Sequence, residues 1–345
     1  MSLTSPSMPL RTRLFASAYD RTGALDVSSL TLEQIRAARA RVAPTRAPFT
    51  WVTGAVPRGV QISSAGFTAR DGHEIGVRAY RPGSVTGPLP VVVFFHGGGW
   101  VLGSVLGYDP LCGFIADAVP ALVLSIDYRM APEHPAPQAG DDCVDAVRWV
   151  GTGGGALRDL GADPSRIAVS GDSAGGNLAA VVSQVVRDEG GPRIAHQALL
   201  YPGTDATRSH PSIRQHANAP VLTRRAIDAF LELYAMPSGL PLDDPLISPL
   251  FAPDVTDLPA TLVQTADLDP LRDEGQAYAA RLRAAGVPTR STNYLRAPHG
   301  FMSFPGATVV GPQARLELVS ELRHHLAAVP DDTTQAGVAG EADDR

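Results

Sequence analysis

The segment Gly171-Asp172-Ser173-Ala174-Gly175 places a serine between two glycines, directly after the apolar run 167–169 and before a helical pattern over 178–186. A G-x-S-x-G pentapeptide in this context predicts a nucleophile elbow, a tight strand-to-helix turn that holds the serine hydroxyl out of the sheet. A side chain at either glycine would collide with neighbouring backbone. Because such a pentapeptide arises by chance roughly 0.2 times in a chain of this length, the assignment depends on partners elsewhere.

The first partner is the loop 96–100, His-Gly-Gly-Gly-Trp, which follows a run of buried-strand character at 91–95. Three glycines leave backbone N–H groups free. When a serine attacks an acyl carbon, the carbonyl oxygen becomes anionic, and each pre-aimed N–H stabilises it by about 3–4 kcal/mol. The alternatives are a flexible turn or a phosphate cradle. A Walker loop needs lysine and this chain has none, so the sequence favours an oxyanion hole.

The absence of lysine also excludes Ser-x-x-Lys acylation, pyridoxal phosphate bound as a Schiff base, and a lysine general base. A serine nucleophile here therefore needs a histidine. In the strand-turn-helix version of the catalytic triad, the chain order is Ser, then Asp or Glu, then His. Only histidines late in the chain fit that order.

His299 lies in a loop bounded by proline and glycine after a predicted strand at 289–295, where a base with a mobile ring would be placed. The alternative is an ordinary surface histidine. His324 and His325 fall off the apolar positions of a C-terminal amphipathic helix, which favours a solvated helix surface for both.

Two acidic residues follow a predicted strand at 259–266, namely Asp267 and Asp269. Pro270 suits a first helical position, so the alternative role of Asp269 is to cap the helix running to Ala285. We expect one carboxylate to serve both roles only with difficulty. The preference for Asp269 over Asp267 rests on the family resemblance below.

Taken together, these segments resemble the bacterial hormone-sensitive-lipase-like (family IV) carboxylesterases of the α/β-hydrolase fold. Segment 96–100 matches the HGGG box of that family, and 127–135 matches its D-Y-R-x-A-P-E-H-P segment. Segment 171–176 matches the elbow, while 269–274 and 299–301 match the acid and base segments. The correspondence extends from about residue 60 to about residue 328.

The resemblance implies Ser173 as the nucleophile, Asp269 as the acid and His299 as the base. It further implies that the oxyanion hole is formed by the N–H groups of Gly98, Gly99 and Ala174, with Gly97 as a turn residue. We expect Arg129 and Glu133 to brace the HGGG loop by hydrogen bonds to nearby backbone. Met130, where the family commonly has leucine, is a volume-conserving exchange.

The predicted fold class is α/β, a doubly wound and mostly parallel sheet with a helical cap. Strands are predicted at 91–95, 122–126, 167–169 and 198–201, alternating with helices at 141–150 and 174–187. Residues 73–80 alternate apolar with polar, which predicts an antiparallel edge strand.

Residues 51–202 and 254–329 form the predicted hydrolase core. The proline-rich segment 203–253, with one helical pattern at 224–235, reads as a cap insertion. Residues 1–50 lie outside the alternation of predicted strands and helices, and they contain a capping box at Thr31 for a helix that ends at Ala40. The resemblance implies that both segments pack over the site, with 1–50 as the N-terminal part of the cap. The polar tail 330–345 is predicted to be disordered.

Composition limits the partners. A net charge of −6 with arginines scattered among acids argues against nucleic acid. The two cysteines form no disulfide framework, and no Cys/His cluster suggests a metal. We expect no metal, no cofactor and no stable membrane anchor, because no stretch approaches the roughly 18 apolar residues of a spanning helix. A cytoplasmic location is the default, and a homodimer stays open.

The predicted reaction is two-step hydrolysis of carboxylic esters of short to medium acyl chain through an acyl-enzyme. An amidase or acyltransferase could use the same triad, since acceptor choice depends on pocket shape. A non-catalytic ligand-binding protein of the same fold is disfavoured because the base His299 is present. A long-chain lipase fits less well, since no apolar surface helix is evident.

Overall fold

The centre of the molecule is one β-sheet. The computed structural model describes residues 8–23 and 25–327 of the 345-residue chain. In this part, the sheet has eight strands, which run in spatial order β1-β2-β4-β3-β5-β6-β7-β8. Their bounds are β1 Val60–Thr68, β2 Glu74–Pro82, β3 Leu89–Phe95, β4 Leu122–Asp127, β5 Ala162–Asp172, β6 Ile194–Leu200, β7 Ala260–Leu268 and β8 Thr289–Pro298.

Strands β3 to β8 are mutually parallel, and β2 is antiparallel to both of its neighbours. The prediction of a mostly parallel, doubly wound sheet is therefore confirmed. The predicted edge position of residues 73–80 is wrong, because β1 lies outside β2. Alternating polarity indicates only that one face of a strand meets solvent. A strand in the second position of the sheet, such as β2, can have one solvent-exposed face although both of its edges are paired.

Helices cover both faces of the sheet. Their bounds are α1 Leu10–Asp20, α2 Leu32–Arg39, α3 Phe49–Thr53, α4 Asp109–Ala118, α5 Gln138–Thr152, α6 Ala156–Asp159, α7 Ala174–Asp188, α8 Ser212–Gln215, α9 Arg224–Tyr234, α10 Arg272–Ala284 and α11 Gly311–Leu326. The helices predicted at 141–150, 174–187 and 224–235 are present to within a few residues, whereas α1, α3, α4, α6 and α8 were not predicted. Among the described residues, no helix is both long and apolar enough to cross a bilayer.

The core divides at the sheet because successive side chains of a strand point to opposite faces. In β3, Val91, Val93 and Phe95 join one apolar cluster with residues of α5, α7 and α10. Val92 and Phe94 join a second cluster with residues of α4 and α11. All seven residues of β3 are buried, which explains why the strand is apolar without alternation. The loop after β3 therefore starts from a firmly packed element.

The segments 8–57 and 203–253 lie outside the sheet, and they contact each other. Asp20 Oδ1 accepts a hydrogen bond from the Val221 N–H at 2.9 Å, and Arg225 reaches Ser28 Oγ at 2.9 Å. The predicted capping box is present, because Thr31 and Gln34 exchange hydrogen bonds between side chain and backbone. The predicted disordered tail lies outside the described residues.

Candidate active site

Ser173 occupies the turn between β5 and α7 with backbone angles of φ 56° and ψ −117°, a region that L-residues adopt only under strain. A Cβ at Gly175 would lie 1.9 Å from the Phe95 carbonyl oxygen, and one at Gly171 would lie 2.3 Å from the Gly175 oxygen. The predicted steric reason for both glycines is thus confirmed. Their absence of side chains lets the turn press against β3 and hold Ser173 at the end of β5.

The hydroxyl of Ser173 begins a hydrogen-bond chain that continues through two residues that follow later strands. Its Oγ lies 2.9 Å from His299 Nε2, and His299 Nδ1 lies 2.7 Å from Asp269 Oδ2. Asp269 is fully buried and His299 is 4% exposed. The Tyr201 ring packs edge-on against the imidazole at 4.9 Å. A proton held on Nδ1 by the carboxylate leaves the Nε2 lone pair free to accept the serine proton.

The two oxygens of Asp269 have different partners. Oδ1 accepts the Leu271 N–H at 2.9 Å, while Oδ2 faces His299. The alternative role of Asp269 as the cap of the helix running to Ala285 is not found, because Leu271 is the N-cap residue and no side chain caps this helix. The helix also begins at Arg272, after Pro270. Asp267 instead accepts the N–H of Arg296 at 3.1 Å.

Gly98 and Gly99 lie beside Ser173 with φ values of 123° and 63°. A Cβ at Gly98 would lie 2.2 Å from the Leu102 carbonyl oxygen, and one at Gly99 would lie 2.3 Å from the Phe230 ring. Within the described ranges, neither N–H donates to another residue. Ala174 is the first residue of α7, where an N–H has no intrahelical acceptor. All three residues border the cavity that contains Ser173 and His299.

Asp172, inside the pentapeptide, ties the elbow to the glycine loop, a role that the sequence analysis missed. Its Oδ1 accepts the Gly97 N–H at 2.9 Å, and its Oδ2 accepts the Tyr108 hydroxyl at 3.0 Å. The Gly97 N–H is thereby engaged. Burial raises the pKa of Asp172 to about 6, although hydrogen bonds from Tyr108 and Gly97 oppose the rise. The signal for this contact was available in the sequence, because an acidic residue beside the nucleophile in a buried turn needs hydrogen-bond donors nearby.

His96 has a structural role at the start of the same loop. Its Nδ1 lies 2.9 Å from the Gly97 oxygen, and its ring stacks on Tyr128 at 4.4 Å. The Tyr128 hydroxyl donates to the His96 carbonyl oxygen at 2.7 Å. Burial lowers the pKa of His96 to about 4, so the ring is neutral near pH 7. A neutral packed ring supports the loop without adding a charge to the site.

The brace around the loop differs from the expected one. Arg129 binds two carboxylates, Asp142 through its N–H and guanidinium and Asp71 at 2.7 Å. Glu133 accepts from Arg39 at 3.0 Å and from Arg36. The expectation that Arg129 hydrogen-bonds nearby backbone is wrong, because its guanidinium donates to the two carboxylates. Glu133 keeps a backbone contact, to its own N–H, besides its ion pairs.

Arg39, far upstream, makes the backbone contacts instead, to the carbonyl oxygens of Val101 and Ala131. Burial tends to raise the pKa of Glu133, but the hydrogen bonds from Arg39 and Arg36 bring it down to about 2. Sequence patterns contain no signal for a partner 94 positions away.

The cavity above Ser173 has a volume of about 510 Å³. Its walls come from the glycine loop, the elbow, the His299 loop and both segments outside the sheet. The apolar lining residues from those two segments include Tyr19, Leu25, Ile213, Leu222, Ile227, Phe230 and Leu231. The arrangement can place an acyl group among apolar side chains, with its carbonyl carbon against a serine hydroxyl.

His324 and His325 lie in α11 and do not border this cavity. His324 is exposed, as predicted. His325 is only half-exposed because its ring stacks on the buried His196 at 4.5 Å. Both cysteines are free and buried. The described part of the chain contains no group of three or more His, Cys, Asp or Glu residues arranged to hold a metal ion.

Comparison with known proteins adds relatives of stated activity. A family model for the alpha/beta hydrolase fold matches residues 92–303. Carboxylesterase NlhH of Mycobacterium tuberculosis is 45% identical over 259 residues, which cover 74% of this chain and 80% of that protein. Ethyl acetate hydrolase of Pseudomonas putida is 35% identical over 272 residues, which cover 77% of this chain and 83% of that protein.

Solved structures agree over still more of the chain. A thermostable esterase from Pseudomonas putida superposes with a TM-score of 0.82 at 33% identity, covering 94% of this chain and 99% of that one. The ester-hydrolase EH1AB1 from the Lake Arreo metagenome, complexed with a bipyridine phosphonate derivative, also gives a TM-score of 0.82, at 36% identity. That match covers 93% of this chain and 100% of the other.

Proposed function

Since this chain belongs to the hormone-sensitive-lipase-like carboxylesterases of the alpha/beta hydrolase fold, we propose that Ser173, His299 and Asp269 carry out its ester hydrolysis. The predicted family, fold class and enzyme class are confirmed, and the protein is a carboxylic ester hydrolase. The assignment of residues is supported by one observation above all, the unbroken hydrogen-bond chain from the Ser173 hydroxyl through both ring nitrogens of His299 to Asp269.

In the proposed first step, Ser173 Oγ attacks the ester carbonyl carbon while His299 Nε2 takes its proton. The C–O bond to the alcohol then breaks, and the imidazolium returns the proton to the departing oxygen. Water attacks the acyl-enzyme with His299 again as base, which releases the carboxylic acid and restores the Ser173 hydroxyl. Asp269 holds the imidazole in the tautomer with the proton on Nδ1 and stabilises the imidazolium.

We further assign the oxyanion hole to the N–H groups of Gly98, Gly99 and Ala174. The assignment is supported by their position on the cavity beside Ser173 and by the lack of another acceptor for the Gly98 and Gly99 N–H groups among the described residues. Each donor aimed at the anionic oxygen contributes about 3–4 kcal/mol to the stabilisation of the transition state. The engaged Gly97 N–H is left out of the set.

The proposed substrates are esters of short to medium acyl chain, in keeping with an apolar cavity of about 510 Å³. We assign the hydrolase core to residues 51–202 and 254–329. The cap is assigned to residues 203–253 together with 1–50, since both segments contribute walls to the cavity.

A cytoplasmic location is proposed on the ground that both cysteines are free thiols, as is usual in reducing compartments. Two expectations about partners, a homodimer and the exclusion of nucleic acid, stay predictions.

The test is labelling with a fluorophosphonate, followed by intact mass and peptide mapping. We expect one phosphonyl group on Ser173 and loss of turnover. Ser173→Ala should lower kcat by about 10⁶-fold and remove labelling while leaving the circular dichroism spectrum unchanged. Ser170→Ala, three positions earlier in β5 and outside the cavity, is the matched control and should label normally. Labelling at another residue, or turnover by Ser173→Ala, would contradict the assignment.

A further inference from the structure

Arg315, on α11, is a buried cation that forms no ion pair with a carboxylate of the described residues. Its side chain is 5% exposed, and none of the ion pairs among the described residues includes it. Nε donates to the Met302 carbonyl oxygen at 2.9 Å, and the guanidinium lies 5.3 Å from the centre of the Phe114 ring. Nη2 has no hydrogen-bond partner in residues 8–23 and 25–327. One edge of the guanidinium is therefore left without an acceptor.

Other arginines near the core are paired. Arg78 is held by Asp109 at 2.6 Å, and Arg129 is held by Asp142 at 2.5 Å. Burial lowers the pKa of Arg315 to about 10, which still leaves the guanidinium protonated at neutral pH. An unpaired buried charge destabilises a folded protein, because it has lost its hydration without gaining an opposite charge. Such a position is explained if the missing anion is supplied by a ligand.

Arg315 borders the cavity that contains Ser173 and His299. It also supports the backbone at Met302, three residues after the proposed base, so the guanidinium lies on the His299 side of the cavity. Arg315 and Ser173 therefore border one cavity, and a single ligand that fills it would contact both.

The carboxylates of the cavity wall are committed elsewhere. Asp172 accepts hydrogen bonds from the Gly97 N–H and the Tyr108 hydroxyl. Asp205 accepts hydrogen bonds from the hydroxyl groups of Thr207 and Ser209. Glu274 accepts hydrogen bonds from the backbone N–H groups of Thr204 and Asp205. None of these three carboxylates forms an ion pair with Arg315. Of the other arginines on the cavity, Arg39 is paired with Glu133, Arg208 is paired with Asp228, and Arg41 is exposed.

We propose that Arg315 determines specificity by binding a carboxylate carried by the ester, so that the substrates include esters with a free acid group. This inference rests on the proposed function of Ser173. Nη2 itself is enclosed, so the charge-assisted hydrogen bond to the carboxylate would come from the side of the guanidinium that borders the cavity. The bound carboxylate would replace the missing counter-charge. Two sources share this chemistry, a half-ester of a dicarboxylic acid and an ester whose alcohol part carries the acid.

The experiment compares kcat/KM for two matched substrate pairs, followed by acid release at constant pH. Monoethyl glutarate is paired with ethyl pentanoate, and 4-acetoxybutanoate with butyl acetate. In one pair, the wild-type enzyme should hydrolyse the charged ester at least as well as the neutral one. Arg315→Met should lower kcat/KM for that charged ester about 10-fold to 100-fold more than for its neutral partner, chiefly through KM. Arg315→Lys should recover part of the difference because it restores the positive charge.

Two results would overturn the inference. One is a wild-type enzyme that hydrolyses both charged esters more than about tenfold slower than their neutral partners, a result that needs no variant to fold. The other is an Arg315→Met protein that loses charged and neutral activity equally, which would assign the guanidinium to supporting Met302. In either case, continued hydrolysis of neutral esters and labelling of Ser173 would show that the proposed function itself stands.

Discussion

The two sides of the active site are held in place by different means. On the nucleophile side, residues 96–100 and 171–176 are positioned by backbone packed so closely that a methyl group at Gly171, Gly175 or Gly98 would overlap a carbonyl oxygen. On the base side, His299 is positioned by a side-chain hydrogen bond to Asp269 and by the ring of Tyr201. Close backbone packing fixes where the serine lies, while a side-chain hydrogen bond sets the orientation and the tautomer of its partner.

Asp269→Asn should have the largest effect among changes on the base side. Its Oδ1 can still accept the Leu271 N–H, but an amide NH₂ facing His299 favours the wrong tautomer, with the proton on Nε2. We expect kcat to fall by about 10⁴-fold with little loss of stability. Steady-state kinetics and thermal unfolding would measure both quantities. Asp267→Asn is the control, and a loss of equal size there would mean that the acid has been misassigned.

Gly175→Ala should act on the nucleophile side through structure. The added methyl group would meet the Phe95 oxygen at 1.9 Å, so β3 and the elbow must separate. We expect the free energy of unfolding to fall by about 3 kcal/mol, with kcat falling as Ser173 moves. The matched control is Gly140→Ala in α5, where the nearest atom lies at 3.9 Å and alanine favours the helix by up to about 1 kcal/mol. Urea unfolding would compare the two, and a tolerated Gly175→Ala would remove the contrast between the two sides.

Asp172→Asn should have the smallest effect, visible in the pH dependence of stability. Because the pKa of Asp172 is raised from 3.8 to about 6, the folded protein binds this proton more tightly than the unfolded chain. The contribution to the free energy of unfolding therefore falls as pH rises from about 4 to about 6. Relative to the wild-type protein, the variant should gain about 2–3 kcal/mol over that interval. Urea unfolding of both proteins at pH 4 and at pH 7 would measure the difference in their free energies of unfolding. A difference that is the same at both pH values would contradict the prediction.

The central strands and helices could be predicted because local patterns determine them. Buried apolar runs such as 91–95 and the helical period after Ser173 depend on residues close in sequence. The place of β2 could not be predicted, since alternating polarity says nothing about which strand covers its edge. The outer strand β1 was missed for a different reason: it has only one buried residue, so its sequence contains no clear apolar pattern.

The reacting groups were predictable to the extent that motifs encode them, whereas the contacts that support them were not. Ser173 and the glycines around it stand in short, recognisable segments. The hydrogen bond from Tyr108 to Asp172 joins residues 64 positions apart, and the pairing of Arg39 with Glu133 spans 94. Arg315 has an ordinary place in a helical pattern, and only its burial beside a cavity distinguishes it. Such contacts depend on the completed fold.

The reach of Arg39 has a practical consequence for engineering. This side chain links α2 to the Val101 and Ala131 carbonyl oxygens, while Tyr19 and Leu25 stand on the wall of the cavity. A chimera that exchanges only residues 203–253 with a relative would leave the wall residues that precede the sheet, such as Tyr19 and Leu25, unchanged and mismatched. Libraries aimed at new acyl groups should therefore diversify the first fifty positions together with that insertion.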